Sequence, residues 1–246
     1  MKETIYTIPL NEAFDTDCEC PLCLLNENLE KRYTEEALGA GMMEPDHRIE
    51  SNEKGFCNRH FSMMYAASNR LSLALVLDTH MKEVIKKLNQ HEKASKKVIN
   101  AKNGLFKPSA ELEDYIKKMS DSIDKITDSC VICDKINDVM EKYIDILFYL
   151  WQTEPDFKKK FDNSKGFCLP HYKILLQKSV KYLKNDAGAF LSDLYVKQKD
   201  NLDRIQDELG KFILKFDYRY KDMDIGDAKD SPKRAMDKLS SNITIS

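Results

Sequence analysis

The sequence predicts an all-α protein: a tandem duplicated helical repeat with long amphipathic helices, each copy closed by a Cys3His metal site. Three observations carry this reading. Only 8 Gly and 7 Pro occur in 246 residues, too few for a loop-rich or all-β chain, and Lys, Glu and Leu favour helices. Apolar residues recur at helical spacing through most of the chain. One cysteine–histidine pattern occurs twice. It is Cys20-Pro-Leu-Cys23 with Gly55-Phe56-Cys57-Asn58-Arg59-His60, and then Cys130-Val-Ile-Cys133 with Gly166-Phe167-Cys168-Leu169-Pro170-His171.

The elements follow in order. Leu25, Leu29, Tyr33 and Ala37 line a helix after the first CxxC, and Gly39 and Gly41 suit its termination. Pro45, and later Pro155, fit the first turn of a short helix. A long helix is expected from Cys57, with Leu71, Ala74, Leu77, Met81, Val84 or Ile85, and Leu88 on one face and its polar end running towards Asn103. Gly104 to Pro108 breaks the chain. Ser109 can cap a helix bearing Leu112, Ile116, Met119, Ile123 and Ile126. From Cys168, Ile174, Leu175, Val180 and Leu183 continue into Phe190, Leu194, Leu202 and Ile205, interrupted around Asn185–Gly188. The tail from Asp217 is polar, and Ser231-Pro232 can start one last helix. Trp151, among Ile146, Leu147, Phe148 and Leu150, reads as core.

The likeness between halves extends beyond the cysteines. Glu44-Pro45-Asp46 matches Glu154-Pro155-Asp156, Tyr33 matches Tyr143, and Phe61 matches Tyr172. The offset is 110 at Cys20/Cys130 and Glu44/Glu154, and 111 at Gly55/Gly166. A register held over that span implies a repeat of roughly 110 residues. The expected organisation is an N-terminal repeat over 1–103, a linker and connecting helix over 104–128, a second repeat over 129–217 and a polar tail over 218–246.

Three thiolates and one imidazole are the donor set of a closed tetrahedral zinc site. The candidate ligands are Cys20, Cys23, Cys57, His60, Cys130, Cys133, Cys168 and His171. Short connections favour each repeat closing its own site; the alternative exchanges ligands, pairing Cys20 and Cys23 with Cys168 and His171. Two Zn²⁺ ions are the expected cofactor, with an iron–sulfur cluster as the alternative, although the closely spaced cysteine runs of cluster proteins are absent. A CxxC at a helix start is also the geometry of a thiol–disulfide reagent, which leaves a redox reading open. His47, His80 and His91 have no counterpart in the other half and are read as ordinary residues; Cys18 has none either, and its reading stays open between a free thiol, a resolving thiol and an inert residue.

The net charge of −2 and 33% charged residues describe a soluble chain. Residues 1–55 are acidic, while Lys82–Lys107 and Lys158–Lys184 are basic. The aromatic residues in the basic stretches do not interleave with the charges in the manner of a single-strand binder, which argues against nucleic acid. The amino terminus lacks the apolar core of a signal peptide, and no apolar run is long enough to span a bilayer, so the expected location is cytoplasmic. Phosphate-binding glycine loops and hydrolase or zinc-protease motifs are absent, and closed sites leave no coordination position for catalysis. The expectation is an interaction or regulatory module rather than an enzyme, acting on a protein partner the sequence does not name.

Ile8-Pro-Leu-Asn-Glu-Ala-Phe14, Cys18-Glu-Cys20-Pro-Leu-Cys23, the paired Gly-Phe-Cys-x-x-His motifs, and Lys215-Phe-Asp-Tyr-Arg-Tyr-Lys221 followed by Asp230-Ser-Pro resemble a family of uncharacterised, mostly helical bacterial proteins, common in anaerobic Firmicutes and catalogued as a domain of unknown function. The resemblance covers nearly the whole chain. It implies the same eight positions and no established activity.

Overall fold

A computed structural model describes residues 5–92, 95–96 and 110–241. Among the described residues the regular structure is helical, with no strand. The helices are α1 (Thr7–Asp15), α2 (Pro21–Leu38), α3 (Pro45–Lys54), α4 (Asn58–Ala66), α5 (Arg70–Asn89), α6 (Ala110–Thr127), α7 (Val131–Thr153), α8 (Pro155–Asn163), α9 (Leu169–Leu183), α10 (Ala187–Leu214) and α11 (Ser231–Ser240). No helix among these residues is long and apolar enough to cross a membrane.

The chain forms two compact units, and neither is a consecutive repeat. One comprises residues 1–29 and 137–246, the other residues 30–136. The boundaries fall inside α2 and α7.

The discontinuous unit has an aromatic core. Phe14 of α1 meets Phe157 of α8, with ring centroids 5.0 Å apart, and Phe190 of α10 meets Trp151 of α7 at 5.1 Å and Phe161 of α8 at 5.6 Å. Phe148, Phe157, Phe161, Phe167 and Phe190 are all fully buried. Large rings at offset and edge-on geometry contribute both area and directional contacts, which locks the helices that carry them. Phe167 immediately precedes Cys168, so this core directly fixes one ligand. Pro155 occupies the first turn of α8, and Ser231-Pro232 opens α11, as expected. α11 packs on α9 and α10.

The continuous unit packs α3 against α5 and α6. Its buried apolar residues include Ala37, Leu38, Phe56, Met64, Leu73, Val76, Val131, Ile132 and Ile136. The single long helix expected from Cys57 is two helices. Ser68 takes a left-handed φ of 64°, and the Asn69 side chain accepts from the Ser72 N–H at 3.2 Å, which caps α5 as a new start. The capped restart also turns the buried face: Leu73, Val76 and His80 point inward, whereas Leu71, Met81 and Ile85 are exposed. Ser109 and the Gly104–Pro108 breaker lie outside the described residues, as does the end expected near Asn103. α6 follows them from Ala110. In the other unit the expected interruption is present: Lys184 takes φ 47°, and a 3-10 turn, Lys184–Asp186, separates α9 from α10.

Candidate metal centres

Cys20 and Cys130 sit immediately before the first residues of α2 and α7, and their carbonyls accept from Leu24 and Asp134 N–H at 3.2 and 3.0 Å. Cys57 and Cys168 are the N-caps of α4 and α9, with nearly the same backbone angles (φ −71°, ψ 165° and φ −68°, ψ 156°). Two residues before each lies a left-handed glycine, Gly55 at φ 69° and Gly166 at φ 78°, a conformation costly for other residues. All six candidate ligand cysteines therefore lie at helix amino termini, whose partial positive charge favours thiolates.

The eight candidate ligands form two clusters. Cys20, Cys23, Cys168 and His171 make the first, in the discontinuous unit; Cys57, His60, Cys130 and Cys133 make the second, in the continuous unit. In each, the donor atoms lie within 4.8 Å of one another. The expectation that each CxxC closes on the CxxH of its own repeat is corrected: the CxxC of the first copy meets the CxxH of the second, and the CxxH of the first meets the CxxC of the second. Element lengths account for this. α2 is 18 residues and about 27 Å long at 1.5 Å per residue, whereas the returning α3 has 10 residues and about 15 Å. The second excursion is more lopsided, with α7 at 23 residues and α8 at 9. A short helix does not retrace a long unbroken one.

In the first cluster, His171 Nδ1 lies 3.1 Å from Cys168 Sγ, 3.4 Å from Cys23 Sγ and 3.5 Å from Cys20 Sγ, and Cys23 and Cys168 sulfurs are 3.5 Å apart. In the second, His60 Nδ1 lies 3.2 Å from Cys57 and Cys130 and 3.5 Å from Cys133, and Cys57 and Cys133 sulfurs are 3.8 Å apart. A tetrahedral Zn²⁺ with bonds of about 2.3 Å to sulfur and 2.0–2.1 Å to nitrogen needs S···S edges of about 3.8 Å and S···N edges of about 3.5 Å. These eight distances match those edges to within about 0.4 Å, every donor lies within 4.8 Å of the others in its cluster, and all seven cysteines are free thiols. Each cluster can hold a metal ion.

The electrostatics suit a cation. In the first cluster, burial pushes the Cys20 thiol up, while hydrogen bonds from Cys168 and Cys20 pull Cys23 strongly down. In the second, the hydrogen bond between Cys130 and Cys133 lowers Cys130 to about 3 and raises Cys133. Burial disfavours charged His60 and His171, but thiolate contacts outweigh it and lift them to about 10 and about 9. A metal entering either cluster displaces these protons.

Surrounding residues lock the clusters. His60 Nε2 faces the buried carboxylate of Glu30 at 3.3 Å, and Arg59 grips both oxygens of that carboxylate, one at 2.7 Å. This carboxylate–histidine arrangement orients the imidazole so that Nδ1 meets the sulfurs. Ser129 Oγ donates to the Lys54 carbonyl at 2.5 Å, and Val131 N–H donates to the Gly55 carbonyl at 3.1 Å, stitching the CxxC to the glycine turn. By the sequence offsets, Glu19 and Lys165 correspond to Ser129 and Lys54. There the stitch is Lys238 of α11, whose ammonium donates to the Glu19 carbonyl at 2.5 Å and to the Lys165 carbonyl. Lys238 is 1% exposed. Glu19 also pairs with Arg204 at 2.7 Å and with Arg234 at 3.4 Å.

Sequence reasoning missed Lys238 and Glu30, because a charged residue on a helix reads as solvated until its burial is known. It also set His80 aside. His80 is buried, meets the Asn52 carbonyl at 2.9 Å through Nδ1, and packs on Gly55. Gln198 serves the other glycine turn, accepting from Phe167 N–H at 3.1 Å and donating to its carbonyl at 2.9 Å. His47 belongs to neither cluster; its Nδ1 lies 2.9 Å from Lys135 Nζ. Cys18 is half-buried and outside both clusters, lining a cleft of about 170 Å³ with Cys20, Cys23 and Asp237.

Comparison with curated proteins finds no match, and neither does comparison with solved structures. A family profile matches residues 1–245. The chain belongs to that family, DUF6062, a family of unknown function.

Proposed function

We propose that the protein is a zinc-binding helical module in which two Cys3His sites are structural and the chain acts by interaction or regulation. The observation carrying this reading is that four protein donors converge within 4.8 Å of one another in each unit, a full set for a tetrahedral zinc ion that leaves no open position for a substrate. The donors of each cluster span no more than 4.8 Å, which supports a single ion over a cluster whose cysteines bond different irons. Free thiolate ligands fit a reducing compartment such as the cytoplasm. The matched glycine turns, N-cap cysteines and Glu-Pro-Asp helix starts support an origin by tandem duplication, with the CxxC of each copy serving the other copy's CxxH.

Elemental analysis and an absorption spectrum of protein purified anaerobically without added metal test the reading. Two zinc per chain and no visible band are expected. Iron with sulfide would replace zinc with cluster chemistry, and metal-free protein with seven titratable thiols would sink the metal reading. Because ligation energy is folding energy, a strong chelator should also melt much of the helical circular dichroism.

A further inference from the structure

We propose that the second centre is a peroxide-responsive zinc–thiolate site, in which Cys57 and Cys133 form a disulfide and release the ion while the first centre stays closed. This rests on the zinc reading. The two centres share a donor set and differ in access. In the first, Cys20 and Cys23 are each 6% exposed and Cys168 is 0% exposed. Ser241, just past the end of α11, brings its hydroxyl to 3.5 Å from Cys23 Sγ, and Lys238 holds the two ligand-bearing turns from the same helix. The cleft beside Cys20 and Cys23 does not reach Cys168. In the second centre Cys130 and His60 are buried, but Cys57 and Cys133 are both half-buried, and their sulfurs are the pair at 3.8 Å.

Thiolate oxidation follows nucleophilicity and access together. A zinc-bound sulfur stays a thiolate, so all six ligand sulfurs have the first property, while Cys57 and Cys133 have the most of the second: Cys20 and Cys23 touch their cleft at only 6% exposure each. One of these two thiolates attacks the peroxide O–O bond, becomes a sulfenic acid and expels an alkoxide or hydroxide. The other attacks the sulfenic sulfur, the S–S bond forms and hydroxide leaves. The two sulfurs lose two electrons, the peroxide gains them, and two protons from solvent complete an alcohol or water and one further water. The ion then keeps only Cys130 and His60, too few donors for tight binding. A dithiol reductant reverses the change.

The test uses full-length protein carrying two zinc per chain and an excess of hydrogen peroxide. Released zinc is followed with a chromophoric chelator, and disulfides are mapped by alkylation and mass spectrometry. One equivalent should leave about tenfold or more faster than the second, with a Cys57–Cys133 link, and a dithiol with added zinc should restore two equivalents. Cys18→Ser should leave these kinetics unchanged. Equal release from both centres would overturn the proposal. So would first oxidation among Cys20, Cys23 and Cys168, or a link from Cys57 or Cys133 to any other cysteine. A preparation without zinc would sink the zinc reading and the release with it, a failure recorded before peroxide is added.

Discussion

Replacing Lys238 by Met removes the ammonium that bridges the two ligand turns of the first centre while nearly keeping the side chain's length and apolar stem. Two charge-assisted hydrogen bonds disappear, to the Glu19 and Lys165 carbonyls, each worth about 1.5–3 kcal/mol. Burial lowers the Lys238 pKa despite the neighbouring Glu19 carboxylate, so part of that gain already offsets desolvation of the ammonium. Glu19 keeps Arg204 and Arg234 as partners and is not orphaned. The net destabilisation is expected at about 2–4 kcal/mol. The turns it holds lead directly to Cys20 and, within three residues, to Cys168, so one zinc should also weaken by about 10–100-fold, the usual cost of losing an outer-shell support. Urea unfolding with chelator competition on the full chain measures both quantities. Lys233→Met, on the exposed face of the same helix, serves as control, with a change within about 0.5 kcal/mol. If Lys238→Met matches that control and holds both zinc ions at wild-type affinity, Lys238 is not the tie between the two turns.

The exchanged pairing makes a stoichiometric prediction. Cys20→Ser with Cys168→Ser should retain one zinc per chain, whereas Cys20→Ser with Cys57→Ser should retain none; the reverse outcome, read by elemental analysis, would restore local closure. Gly55→Ala places a Cβ 2.5 Å from the His80 ring at φ 69° and should cost about 1–3 kcal/mol, while Gly210→Ala, in α10 with nothing within 4 Å, should stabilise by about 0.5–1 kcal/mol; thermal melts of the pair decide it. Glu30→Gln should weaken the second centre alone, by about 10–100-fold in chelator competition, and equal weakening of both centres would refute the role given to that carboxylate.

The eight residues that gather into two clusters could be picked out beforehand because two motifs repeat with the same residue types and nearly the same offsets. Their pairing was not. Spacing along a chain reports the entropy of closing a loop, which favours Cys20 meeting His60 over Cys20 meeting His171. It does not report that α2 runs 18 residues without a break. Helix type was readable from apolar periodicity, but the break at Ser68–Asn69 was not, since one polar cap among exposed residues leaves the periodicity intact. Lys238 and Glu30 escaped for another reason. Burial of a charge depends on what covers it, and the covers come from residues far away in sequence.

The pairing also bears on synthesis. A ribosome exposes Cys20, Cys23, Cys57 and His60 well before Cys130, and these four by themselves are a complete Cys3His donor set. A nascent chain that captures a metal with them holds a wrong closure that must open before either native centre forms. The native order begins with the inserted unit, finished once Cys133 and Ile136 emerge. The outer unit waits for His171 and then for Lys238. On the zinc reading, metal supplied early competes with folding, and metal supplied late completes it.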